Sequence, residues 1–163
     1  MLSQTNLIVR PQFVQVLMGM EALAFRPRIQ CAYRSPEEQE TAYESGHSSV
    51  RWGYHCCETP DGHPDALAID VLDDDSPLAP RREYLMALTT TARANGLNTG
   101  LLWGLPDNIR AAIEAALARG EVYEGHIGFD PTHVEAVGVS IADARAGERP
   151  APFVTPPTQA ENV

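Results

Sequence analysis

The run Ala66 to Leu72 (ALAIDVL) holds one charged residue, Asp70, in an otherwise apolar segment. A short apolar run between polar turns reads as a buried strand. A carboxylate there is expensive to bury unless it is hydrogen-bonded, ion-paired or bound to a metal. A metal would favour its ionised form outright. Any fold built around this strand must therefore bring a hydrogen-bond donor, a cation or a metal to Asp70.

His63 and His133 are the partners the sequence offers. His63 lies seven positions before Asp70 in HPDALAID. On an unbroken strand that odd spacing would point the two side chains to opposite faces, so they converge only if the chain bends at Pro64-Asp65. His133 lies in DPTHVE, three residues after Asp130. Asp-Pro favours a turn, which could bring the Asp130 carboxylate beside the His133 ring. Two histidines and a carboxylate suffice for a catalytic zinc site that keeps a position open for water. A further carboxylate can then take the water's proton. His63, Asp70 and His133 are thus read as metal ligands for Zn2+, and Asp130 as the general base. Arg34, at the end of the alternating run RIQCAY, could stabilise an oxyanion or hold a substrate carboxylate bidentately.

The rest of the chain alternates helices with short strands. Pro11–Phe25 reads as a helix with Pro11 in its first turn. Ser35 opens a second helix, with Glu38 completing a capping box and Gly46 as its stop. Arg28–Tyr33, Ala66–Leu72 and His133–Ser140 read as strands, as does Tyr123–Phe129, weakened by Gly125 and Gly128. Arg81–Ala94 and Asp107–Arg119 read as helices. Residues 46–65 lack a clear period and form a long loop, which in a small domain is usually functional. From Ala144 the chain is Pro-rich and reads as an extended tail. The expected fold class is α+β in a single domain over 1–143, with a tail over 144–163.

Composition narrows the function classes. The net charge is -10 and all twelve basic residues are Arg. An acidic chain is a poor partner for nucleic acid, which is held by neutralising phosphates, and a chain without Lys can form no Lys Schiff base. Cys31, Cys56 and Cys57 make a poor disulfide framework, because the count is odd and two are adjacent. They read as buried thiols. A zinc site built from Cys56, Cys57, His55 and His63 lacks the usual Cys-x-x-Cys spacing, and His47, His55 and His126 read as loop or surface residues. Asp73-Asp74-Asp75 lacks the glycine and distal Glu of an EF-hand. No apolar run is long enough for a membrane span.

Taken together, these pieces resemble the zinc peptidases that cut peptidoglycan stem peptides, the family of D-Ala-D-Ala carboxypeptidases and dipeptidases and of phage L-alanyl-D-glutamate endopeptidases. His63, Ala68 and Asp70 match that family's His-x-x-Gly-x-Ala-x-Asp, with Ala66 in place of Gly. Asp130, His133 and Glu135 match its second motif, with Val134 where an aromatic is usual. YRSPEEQ, with Arg34 and Gln39, is similar to the family's Arg-Ser…Gln segment. NGLNTGLLWG, with Gly96, Trp103 and Gly104, is similar to its Gly-Leu…Trp-Gly segment. The likeness spans residues 28–140.

The resemblance implies a hedgehog/D-Ala-D-Ala-peptidase-like domain, in which a small antiparallel sheet carries the zinc site and helices surround it. It implies a metallopeptidase acting on peptidoglycan peptides, and an Asp base looks more like the endopeptidase branch. The N-terminal residues lack the pattern of a signal peptide, so synthesis in the cytoplasm is expected, with release by a phage pore protein or carriage in a virion. Two competing readings are a non-catalytic module that keeps the fold, such as a phage tail component, and an adaptor with a structural zinc.

Overall fold

The computed structural model describes residues 10–151. Within them the fold is α+β. Strands β1 (Pro27–Cys31), β2 (Ala68–Asp73), β3 (Leu97–Gly100) and β4 (Asp130–Ala136) form one sheet in the order β1-β2-β4-β3. Every neighbouring pair is antiparallel. Helices α1 (Pro11–Ala22), α2 (Pro36–Glu44), α3 (Arg82–Ala94), α4 (Asp107–Arg119) and α5 (Ile141–Arg145) surround it. No helix among the described residues is long and apolar enough to cross a membrane.

The period of two along β2 and β4 sorts the sheet into two faces. Ile69, Val71, Val134 and Ala136 are buried in the core. That core also holds Phe13, Val16 and Met20 of α1 and Tyr84, Leu88 and Ala92 of α3. Asp70, His133 and Glu135 are the intervening residues, so they share the opposite face. Asp70 and His133 are direct cross-strand partners. The alternation that builds the core therefore also sets the polar side chains beside one another.

Local chemistry fixes the helix ends. Ser35 and Glu38 form the expected capping box, each side chain taking the other's backbone N–H. α4 keeps its expected bounds. β3, of sequence LNTG, is a strand without an alternating pattern of its own. It follows the Asn95-Gly96 turn and is tied to α3 by a buried Thr89–Thr99 hydroxyl pair at 2.7 Å. Tyr123–Phe129, expected as a strand, is irregular instead. Gly128 lies so close to β3 that a Cβ on it would meet the Gly100 carbonyl at 2.3 Å, and its N–H donates to the Leu101 carbonyl at 2.6 Å. The segment packs against the chain leaving β3 rather than extending the sheet.

The expected tail is folded back at its start. Ala144 is buried on α5. Arg149 donates to the Asp65 carboxylate at 2.7 Å and to the Glu58 carbonyl at 2.8 Å. Asp65 is itself buried and also accepts from the buried Arg10. Pro152, Pro156 and Pro157, like the N-terminal MLSQTNLIV, lie outside the described residues.

Candidate metal centre

A cleft of about 550 Å³ opens on the polar face of the sheet. Arg34, His55, Asp70, Asp130, His133 and Glu135 line it. Four of the five residues expected in the site are thus brought together: Asp70, His133, Asp130 and Arg34. His63 is not among them.

His55, and not His63, lies beside Asp70 and His133. The chain from Cys57 to Asp65 doubles back on itself. Asp65 N–H donates to the Cys57 carbonyl at 2.8 Å, and Glu58 and Pro64 form an isolated antiparallel bridge. His63 sits in the turn of this excursion, exposed, its N–H on the Thr59 hydroxyl at 3.1 Å. The bend at Pro64-Asp65 therefore carries His63 away from Asp70 instead of toward it. The residues before the excursion form a short 3₁₀ turn, Tyr54–Cys56, which inserts His55 into the cleft. Arg34 N–H donates to the His55 carbonyl at 3.0 Å, Leu67 N–H to the Tyr54 carbonyl at 2.9 Å, and the Tyr54 hydroxyl to the Val139 carbonyl at 2.6 Å. These bonds clamp the turn to the strands on either side.

Three donor atoms converge. His133 Nδ1 lies 3.0 Å from Asp70 Oδ1, His55 Nε2 lies 3.4 Å from the same oxygen, and the two nitrogens are 3.3 Å apart. Ligands about 2.0–2.2 Å from a tetrahedral zinc lie roughly 3.3–3.6 Å from one another. Two of the three edges fall in that range, and the His133–Asp70 edge, at 3.0 Å, is shorter.

The outer hydrogen bonds fix which ring nitrogens carry protons. His55 Nδ1 lies 2.6 Å from the Ala32 carbonyl, which can only accept, so Nδ1 is the donor. His133 Nε2 lies 3.2 Å from Glu135 Oε2 and donates to that carboxylate in the same way. In the neutral tautomers, His55 Nε2 and His133 Nδ1 then turn lone pairs toward Asp70 Oδ1. Three acceptors facing one another with no donor between them are unfavourable unless a cation sits among them. A carbonyl and a carboxylate behind two histidines are also the usual second layer of a metal site. By geometry, donor chemistry and outer bonding, these residues fit a metal ion.

Without a metal, protons must fill that role. Burial pulls the His55 pKa down, but hydrogen bonding to Asp70 and Cys31 and the Asp70 charge outweigh it and lift it to about 10. His133 is raised the same way, burial being overcome by Asp70 and Glu135. Burial would raise Asp70, yet its bonds to the two histidines hold it well below the ordinary carboxylate range. Asp130 behaves differently. Burial raises it, with the His133 ring pulling the other way.

Asp130, Asp70 and His133 form one cluster whose ligand atoms lie within 4.8 Å of one another. Asp130 reaches this place because β3 and β4 approach closely at Gly100, where a Cβ would meet the Asp130 carbonyl at 2.1 Å. Trp103 packs on the His133 ring at 5.1 Å between centroids. Arg34 is held across the cleft by Gln39, whose Oε1 accepts from Nη1 at 2.8 Å. Gln39 is buried and donates from its other end to Ser48 and to the Val50 carbonyl, at 2.8 and 2.5 Å.

No protein-family model matches this chain, and no curated protein matches it. Among solved structures it is similar to the L-Ala D-Glu endopeptidase ChiX of Serratia marcescens, at 18% identity and a TM-score of 0.47, over 83% of this chain and 86% of that one.

Proposed function

We propose that this protein is a zinc-dependent peptidase that hydrolyses an amide bond in peptidoglycan stem peptides, in the manner of the phage-lysin endopeptidases its motifs resemble. The observation that carries the metal is the convergence of His55 Nε2, Asp70 Oδ1 and His133 Nδ1, each nitrogen's outer partner leaving its lone pair directed inward. His55, rather than His63, is assigned as the first ligand. The peptide substrate rests on the resemblance carried by Arg34, Gln39, Asp70, Asp130, His133 and Glu135.

A zinc ion bound there would supply Lewis acidity, polarising the scissile carbonyl and acidifying water. The chain's own groups do the rest. Asp130, beside the ligands but with its carboxylate not bonded to either histidine, is placed to accept a proton from attacking water and return it to the leaving amine. Among the described residues Arg34 is the one arginine lining the cleft, and it is oriented by Gln39. It is placed to hold the developing oxyanion or a substrate carboxylate. Glu135 keeps the His133 ring in its ligating tautomer.

The test is digestion of purified peptidoglycan, read as new amino termini. The zinc-loaded protein should release them. Asp130→Asn should keep zinc and lose about 10²–10⁴-fold in rate. Full activity in Asp130→Asn would remove Asp130 from the mechanism, and no release by the loaded parent would remove the substrate.

A further inference from the structure

Cys31 is the one thiol that borders the cleft chemistry without a role in it. It pairs with Asp70 across β1 and β2, where a bulge between Ile29 and Cys31 shifts the register. Its Sγ lies 3.9 Å from His55 Nδ1 and 3.7 Å from Arg34 Nη2. Cys31, His55 and Asp70 also form a second cluster whose ligand atoms lie within 4.8 Å of one another. That cluster shares Asp70 with the cluster of Asp130 and His133. His55 is buried, and its Nε2 lies 3.4 Å from Asp70 Oδ1 and 3.3 Å from His133 Nδ1. Cys56 and Cys57 differ from Cys31. Both are buried, and burial raises the Cys56 thiol and lifts Cys57 to about 11, so they stay protonated and inert.

We propose that Cys31 is a reversible fourth protein ligand of the metal site, a thiolate that closes it against water. The inference rests on the metal reading above. A thiolate is a strong zinc ligand, and four protein ligands make a closed site whereas three leave a position for water. Ligation takes Cys–SH to Cys–S⁻, the proton passing to solvent, and no electron moves. In the structure the sulfur lies 3.7 Å from Arg34 Nη2. That contact is the open form, and the proposed closed form would bring Cys31 onto the metal.

The experiment uses the whole protein, stripped by a chelator and reloaded with Co2+. The loaded parent should show visible d–d bands together with a sulfur-to-cobalt charge-transfer band in the near ultraviolet. Cys31→Ser should lose that band and keep the visible ones, while Cys56→Ser and Cys57→Ser should keep both. Visible bands with no charge-transfer band in the parent, or a band that survives Cys31→Ser, would overturn the thiol and leave the metal reading standing. Failure to take up cobalt would overturn both. Should Cys31→Ser fold poorly, thiol titration of the unsubstituted protein decides. One thiol per chain should be masked by Zn2+ and freed by chelation, and a reactivity indifferent to metal would overturn the proposal.

Discussion

His55 Nε2 and His133 Nδ1 stand 3.3 Å apart, and each ring is held from behind by a group that can only accept. The Ala32 carbonyl holds His55, and the Glu135 carboxylate holds His133. The second contact can be removed without touching a ligand. Glu135→Ala should weaken zinc binding by about 10–100-fold, as loss of such outer partners generally does. Competition with a chromophoric chelator measures it. Unchanged affinity would mean that the His133 tautomer is set by something other than Glu135.

Proton and metal compete for the same lone pairs. In the metal-free protein the folded pKa of His55 is raised from 6.5 to about 10, the Asp70 and Cys31 contacts outweighing burial. A group raised on folding adds stability that is fully present below its unfolded pKa and is lost as the pH climbs through the folded one. Metal-free protein should therefore lose stability from about pH 6.5 to about pH 10. Loaded protein, with the ion in the proton's place, should not show that loss. Thermal melts with and without chelator across this range test it, and a gap in Tm that stays constant would contradict it.

Gly100 sets where Asp130 sits. A Cβ there would meet the Asp130 carbonyl at 2.1 Å and its carbon at 2.9 Å, both backbone atoms that cannot rotate away. Gly100→Ala must push β3 and β4 apart at the proposed base. It should cost about 1–3 kcal/mol in urea unfolding and lower activity with zinc content unchanged, because the metal ligands lie on other residues. Retention of both full stability and full rate would show that the strands can part freely.

The Arg10–Asp65–Arg149 cluster closes the excursion that displaces His63. Asp65 is buried between two cations. Asp65→Ala would strand them and should destabilise the fold by about 3–5 kcal/mol, visible in denaturant unfolding. A change within experimental error would show that the arginines find water when Asp65 is gone.

Much of this architecture was legible from residue chemistry. The Ser35–Glu38 box, the bounds of α4 and the need of Asp70 for a polar partner each follow from local rules, and the structure has the box, the helix and a His133 contact at Asp70. β3 escaped because LNTG is short and weakly patterned, and its strand character comes from pairing with β4. His55 escaped for a different reason. Its place in the cleft depends on a non-local clamp from Arg34, Leu67 and Val139, which no sequence spacing encodes. His63 sits at the spacing the motif expects, but an excursion closed by the Cys57–Asp65 hydrogen bond carries it outward. The odd spacing of seven on a strand was the available warning. The burial of Cys56 and Cys57 beside His55 was a second, because a loop that contributes to the core also carries its neighbours inward.

The most direct test compares two histidines. Zinc per chain should be measured by elemental analysis on the parent, His55→Ala and His63→Ala. The proposed site predicts about one zinc in the parent and in His63→Ala, and its loss in His55→Ala. Loss in His63→Ala with retention in His55→Ala would contradict the assignment of the site.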